Sequence, residues 1–393
     1  MKLFDSKQQA IINFSPNKRV ILIYVCGITP YDSAHLGHIF TFMIYDLIER
    51  VLELDGYEVK MVRNITDIDD PIYEKARDIN MDYRELTKQQ IALFNNVMEK
   101  MNFIKPFKEP RASHYIQEMF ESIGKLLHDG HAYRLNNDIY FDINTIENYG
   151  RNFNIPTKIL YKLSKRRGGD NLKEKRNQLD FLLFKGVDNK NDIRWKHKIL
   201  GYGRPGWHIE CSVMASQILG NPFDLHGGGN DLMFPHHESE IAQTKALTNK
   251  SLSNYWVHVA PLLLYGEKMS KSLGNLVFAE DLLKVYSGAV IKLALLDYSY
   301  QEGGEWIDDK LKSAKTLWNK LQSLYINKNY DTNYMAELKD KIYNLLRNNL
   351  CTRDIIYELT LFTTKKNSSI ASNNDDYNKI LDILGLRGFI KLG

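Results

Sequence analysis

Cysteine is scarce in this chain: Cys26, Cys211 and Cys351 are the only three among 393 residues. They are too few and too far apart for the disulfide framework of a small secreted domain, which leaves free thiols or metal ligands. Proline is sparse as well, with 10 residues, against many Lys, Asn, Ile and Tyr, a bias that points to an AT-rich coding genome. No apolar run approaches the length needed to span a bilayer. The opening residues MKLFDSKQQAIINF lack the charged start, apolar core and small-residue cleavage site of a secretory leader. These absences predict a cytoplasmic protein with no membrane partner. A marked excess of either charge is missing too: 52 Lys and Arg against 48 Asp and Glu leave a formal +4, which permits nucleic-acid binding without requiring it. With 44% hydrophobic residues, the chain can bury a large core and divide into two or three structural units. No internal repeat is visible.

What is present reads as α/β. RVILIYVCG (19–27) is a β-branched apolar run closed by Gly27, the pattern of a buried parallel strand. IFTFMIYDLIERVLELDGY follows at helical spacing and ends at Gly56, and YEVKMVRNITDIDD reads as a second strand opening into a carboxylate-rich loop. Strand, helix, strand implies a right-handed crossover. NPFDLHGGGNDL predicts another strand followed by a glycine-rich turn, and NYWVHVAPLLLYGEKMSKS another strand and loop. YKLSKRRGGDNLKEKRNQLD (161–180) is polar and basic, and reads as an insertion outside the core. From about residue 290, KLALLDYSY, DDKLKSAKTLWNKLQSLY and LKDKIYNLLRNNL carry apolar residues at helical intervals, so an all-α unit without strands is expected. NKNYDTN and TKKNSSIASNNDD read as surface loops within it.

Three constellations could carry chemistry. In PYDSAHLGHIF, His35 and His38 flank Gly37 at a helix start, where imidazoles and unpaired N–H groups suit an anion; packed or surface histidines would read the same way. In GEKMSKSLGN, Lys268 and Lys271 alternate with Ser270 and Ser272, a loop able to cover a triphosphate or simply to be solvated. In DLMFPHHESEIAQTKAL, a helix starting after Pro235 would put His236 and Glu240 on one face, with His237 directed elsewhere. With Cys26 and Cys211 these two would complete a tetrahedral zinc set; small buried cysteines and a loop histidine fit the same spacing.

An H-x-G-H turn after the first strand and a K-M-S-K-S loop after the last together resemble the class I aminoacyl-tRNA synthetases. YVCG, TPYD, AHLGH, NITDIDD, GRPGWHIEC, DLHGGGNDLMFPHHESE and KMSKSLGN resemble, more narrowly, the cysteinyl-tRNA synthetase family over the first three quarters of the chain. The resemblance implies a Rossmann-like catalytic domain over residues 1–290, with an insertion at about 115–195, and a helical domain over 291–393. A separate anticodon-binding domain is expected to be absent. It also implies ATP-dependent activation of L-cysteine to cysteinyl-adenylate, with Mg2+ accompanying ATP. One zinc ion would be held by Cys26, Cys211, His236 and Glu240 and would bind the substrate thiol. His35, His38, Lys268 and Lys271 would serve the phosphates. Substrate and ATP contacts are implied for Gly27, Thr29, Thr41, Asn64, Thr66, Trp207, His208, His226, Gly229, Asp231, Ser270 and Ser272. Among them Trp207 and His208 would wall the adenine and substrate, and His226 would lie beside the cysteine.

The acceptor is where the resemblance divides. Gly27-Ile28-Thr29-Pro30 and Pro71 after Asp70 resemble the mycothiol cysteine ligase branch, which joins cysteine to an amino sugar, as does the partial match at Arg166 to Asn171. Glu240 and the AT-rich composition favour tRNA(Cys). The expectation is therefore a monomeric cysteine–tRNA ligase, with a small amine as the alternative acceptor and a non-catalytic tRNA- or nucleotide-binding module as the remaining reading. Lys165, Arg166, Arg167, Lys173, Lys175 and Arg176 are the candidate tRNA phosphate contacts, or a solvated charge run.

Overall fold

The structure, a computed structural model, describes residues 1–164, 173–190, 192–269, 273–365, 371 and 373–390. Four parallel strands form the central sheet, in the spatial order Ser253–Val259, Phe223–Gly229, Val20–Ile28 and Glu58–Ile65. Sheets of this kind are covered on both faces, so each strand must be apolar on both sides, and VILIYVCGI meets that need with Ile21, Ile23, Tyr24, Val25 and Cys26 buried. The expected crossover helix spans Leu36–Leu54. His35 caps it by accepting from the Gly37 N–H, and Gly56, at φ 88°, lets the chain turn into the next strand. The chain goes first to one side of Val20–Ile28 and returns much later to the other. The carboxyl ends of Val20–Ile28 and Phe223–Gly229 therefore border the point where strand order reverses, the usual ligand crevice of such sheets.

A five-stranded antiparallel sheet is inserted between the two halves, in the order Ala132–Leu135, Asp138–Phe141, Phe181–Gly186, Gly201–Pro205 and Trp195–His197. Its last residues run straight into the helix Trp207–Leu219. The basic stretch expected outside the core is partly structural. Lys175 is buried with its ammonium 5.5 Å from the Tyr140 ring centroid. Arg176 pairs with Asp142 at 2.9 Å and lies over Tyr133. Burial removes Lys175 from the candidate phosphate contacts, whereas Lys173 and Arg176 stay exposed; Lys165, Arg166, Arg167 and the Gly168–Asn171 match lie outside the described residues.

Two further expectations change. The glycines of DLHGGG do not turn the chain; they continue the strand to Gly229, with Gly227 opposite Val257 and Gly228 opposite His258. The reason is steric, because a Cβ on Gly227 would stand 1.8 Å from the Val257 carbonyl oxygen. The C-terminal region is not free of strands either. Gly304–Glu305 pairs in parallel with Leu262–Leu264, itself paired with Glu267–Lys268, and the Glu305 carboxylate accepts from the Tyr265 and Gly266 N–H groups at the hairpin tip.

Helices Gly288–Leu296, Asp309–Asn327, Thr332–Arg347, Thr352–Thr364 and Asp375–Ile383 make the rest of that region and share one core with the helix Leu36–Leu54. Lys292, in the fully buried GAVIKLALL helix, crosses this contact to Asp46 and to the carbonyls of Asn102 and Gly385. Burial pulls its ammonium down to about 8, against the opposing effect of Asp46. No helix among the described residues is long and apolar enough to cross a membrane.

Candidate active site

Three elements converge below the crevice. The central strand Val20–Ile28 delivers Cys26, the helix Trp207–Leu219 delivers Cys211, and the segment opened by Pro235 delivers His236 and Glu240. All four are buried, and one donor atom from each lies within 4.8 Å of the others. The sulfurs of Cys26 and Cys211 are 3.8 Å apart, Cys26 Sγ is 3.7 Å from Glu240 Oε1, and His236 Nε2 is 3.1 Å from the same oxygen. A tetrahedron with Zn–S bonds of about 2.3 Å has S···S edges of about 3.8 Å, so the donor set fits zinc in both chemistry and size. Burial pushes both thiols up, so they stay protonated unless a cation compensates the charge of the thiolates.

His237 does not point elsewhere. Phe234 has extended backbone before Pro235, and the chain runs helically from there, so both neighbouring imidazoles turn inward. His237 Nε2 stands 3.2 Å from Cys26 Sγ, and its Nδ1 is 2.7 Å from His258 Nε2. Cys26, His226, His237 and Glu240 form a second group with metal-ligand spacing that shares two members with the first. His226 Nε2 is 2.9 Å from Glu240 Oε2, so the carboxylate reaches both groups. His258 was not among the expected site residues, although the alternation in NYWVHV places it on the same strand face as Trp256.

The neighbouring predicted residues pack as a wall. The Trp207 ring stacks on His236 at 4.2 Å and 19°, and His208 Nδ1 lies 3.0 Å from His236 Nδ1. Trp207 and His208 thus adjoin the candidate metal ligands directly. Asn64 accepts from the Gly27 N–H and donates to Thr66, which ties the ends of the two strands together; a Cβ on Gly27 would stand 1.6 Å from the Asn64 carbonyl oxygen. Thr29 is half-buried in the loop that leaves the first strand. Thr41 is one turn into the helix and donates to the Gly37 carbonyl.

The two expected phosphate elements are joined by backbone. The Leu36 N–H donates to the Val277 carbonyl and the Ala279 N–H to the Ala34 carbonyl, so the His35–His38 turn docks on the segment after the lysine loop. The rings of His35 and His38 are 3.9 Å apart. Across the crevice, Lys268 Nζ is 2.7 Å from the Asp231 carboxylate, two residues beyond Gly229. Ser270, Lys271 and Ser272 lie outside the described residues.

Burial pulls the imidazoles of His208 and His258 down to about 3. Both are neutral in the fold, whereas the unfolded chain protonates them near 6.5. Their contribution to stability is therefore complete above about pH 6.5 and is lost as pH falls toward about 3. Thermal unfolding midpoints should decline measurably between about pH 7.5 and 5; a flat profile over that interval would contradict neutral burial.

Residues 13–316 match the model of the class I (C) tRNA synthetase catalytic domain. The chain is 39% identical over 338 residues to a cysteine–tRNA ligase of Methanococcus vannielii, covering 84% of this chain and 70% of that one. It is 39% identical over 323 residues to the cysteine–tRNA ligase of Salmonella arizonae, covering 82% and 69%. A solved methionyl-tRNA synthetase of Mycobacterium tuberculosis, in complex with methionyl-adenylate, shares the fold at a TM-score of 0.62 and 14% identity, over 95% of this chain and 89% of that one.

Proposed function

Since the chain belongs to the family of class I (C) tRNA synthetase catalytic domains, we propose that it activates L-cysteine with ATP and transfers the cysteinyl group to tRNA(Cys). The observation that carries this reading is the buried set of Cys26, Cys211, His236 and Glu240 at the strand-order reversal. A zinc ion held there would bind the substrate's thiolate, which sulfur-seeking zinc prefers over the hydroxyl of serine. Trp207 and His208 keep His236 fixed, and the chain Cys26–His237–His258 fixes the other side of the set.

In the first step the carboxylate oxygen of cysteine attacks the α-phosphorus of Mg-ATP, the bond from that phosphorus to the α,β-bridging oxygen breaks, and pyrophosphate leaves. No side-chain nucleophile is needed, so the residues act by positioning and by offsetting charge. His35 and His38 at the helix start, with Lys268 across the crevice, serve the phosphates, and Lys271 of the same lysine loop is assigned to them as well. Asp231, paired with Lys268, together with Gly229 bounds the adenosine. In the second step a ribose hydroxyl of the terminal tRNA nucleotide attacks the carbonyl carbon, the mixed anhydride breaks, and AMP leaves. The amine acceptor of the mycothiol-type branch is not favoured, because the named relatives are cysteine–tRNA ligases.

Pyrophosphate exchange tests activation, and charging of a tRNA(Cys) transcript tests transfer. Cysteine should support exchange at least roughly a hundredfold better than serine. Equal use of serine would contradict thiol-based selection, and amide formation with an amine in place of tRNA charging would overturn the acceptor.

A further inference from the structure

The candidate zinc set carries more negative charge than its metal balances. Two thiolates and a carboxylate outweigh a divalent cation, and a substrate thiolate bound there widens the excess. All four donor residues are buried, and buried charge is costly unless hydrogen-bond donors face it. Cys26 and Glu240 each have such a donor. Cys26 Sγ faces His237 Nε2 at 3.2 Å, and Glu240 Oε2 faces His226 Nε2 at 2.9 Å; beside an anion the ring carries its proton on that nitrogen. Cys211 Sγ is different. No N–H group among the described residues reaches it, and its partner at 3.8 Å is Cys26, which as a metal ligand has no proton to give.

Tyr24 stands at this third anionic ligand. Alternation along Val20–Ile28 puts its side chain on the same face as Cys26, two residues further on. Its ring is fully buried in one core with Cys26 and Cys211, and it meets the ring of His226, its register partner on the neighbouring strand, at 5.3 Å and 71°. The hydroxyl is within reach of the Cys211 sulfur but meets no acceptor in hydrogen-bond geometry among the described residues. A phenylalanine would fill the same space without burying a polar atom. A thiol sulfur is a weak acceptor, whereas the sulfur of a thiolate attracts a donor strongly. The hydroxyl is therefore satisfied when Cys211 takes the form that ligates a metal.

From this juxtaposition we propose that Tyr24 is a positioning residue of the metal site, whose O–H donates to the Cys211 thiolate and completes the set of donors, with His237 and His226, that lets an anionic ligand shell accept the thiolate of the substrate. The inference rests on the reading that these four residues hold zinc. Tyr24 touches neither zinc nor substrate. It acts through Cys211, by fixing the direction of the sulfur and offsetting part of its charge.

The test is Tyr24→Phe in the full chain. All four ligands remain, so zinc should still bind, but competition with a chromophoric chelator should show affinity lowered by roughly 10- to 100-fold. In pyrophosphate exchange the KM for cysteine should rise by roughly tenfold, with the KM for ATP unchanged. With cobalt in place of zinc, the sulfur-to-metal absorption should move to longer wavelength, because a thiolate that loses a hydrogen bond gives up its electrons more readily. Tyr133→Phe is the control. Its hydroxyl donates to Asp180 at 2.8 Å in the inserted sheet, so its loss should lower the unfolding midpoint while leaving zinc affinity and the cobalt spectrum at wild-type values. Wild-type zinc affinity and cobalt absorption in Tyr24→Phe would overturn the inference, and so would equal changes in the Tyr133→Phe control. A wild-type chain that binds no stoichiometric zinc would overturn the zinc reading and the role of Tyr24 with it; a zinc-loaded wild type with an indifferent Tyr24→Phe sinks Tyr24 alone.

Discussion

Cys26→Ala is expected to leave the protein without stoichiometric zinc and to lower cysteine-dependent pyrophosphate exchange by more than about a hundredfold, since even residues that only support a metal ligand cost about 10- to 100-fold when changed. Cys26 is the sharper choice than Cys211 because it belongs to both groups of donors. Removing Cys211 leaves Cys26, His226, His237 and Glu240 within reach of one another. Cys211→Ala should therefore retain part of its metal at a displaced position while losing activation, because the thiol would then be held away from the α-phosphate. Metal content by mass spectrometry after gel filtration, read beside exchange rates, separates the two cases. Full zinc occupancy in Cys26→Ala would refute the proposed ligand set. The serine-to-cysteine activation ratio should rise in both variants, since binding to sulfur is what distinguishes the substrates.

Gly227→Ala is expected to cost at least about 3 kcal/mol of stability, which should appear as insoluble expression or a sharply lowered unfolding midpoint. The new methyl would lie 1.8 Å from the Val257 carbonyl oxygen and 2.0 Å from the Tyr45 hydroxyl. Tyr45 could turn away only by abandoning its hydrogen bond to the same carbonyl, and the strand carbonyl itself cannot yield without opening the central sheet. Gly124→Ala is the control. Gly124 lies inside the helix Ile116–His128 with nothing within 4 Å of an added Cβ, so the change should stabilise by about 0.5–1 kcal/mol. A Gly227→Ala protein as stable as wild type would mean that the three central strands are not packed as described.

Much of the architecture is legible in the chain because its signals are local. The β-branched run ending at Gly27, the helical spacing up to Gly56 and the capping position of His35 each depend on residues a few positions apart, and each element forms where its pattern lies. The misreadings share a cause. HGGG carries turn composition, yet a neighbouring strand and a tyrosine hydroxyl leave no room for side chains, so the glycines extend a strand. Lys175 has the composition of a solvated run, yet it is buried with its ammonium against the ring of Tyr140. In each case a partner distant in sequence overrides the local preference.

The candidate site divides along the same line. Residue types and order determined that Cys26, Cys211, His236 and Glu240 are available as zinc donors, since two thiols, an imidazole and a carboxylate suit that metal wherever they meet. Tertiary structure alone decided that they meet. Cys26 and Cys211 are separated by 185 positions, and only the return of the chain beside the strand Val20–Ile28 brings their sulfurs to 3.8 Å. It also decided the role of His237, whose direction follows from helical backbone beginning at Pro235 and from burial against Cys26 and His258. Periodicity assigns side chains to faces of an element; which face another element covers is set by packing of the whole sheet, and that information is not local to any motif.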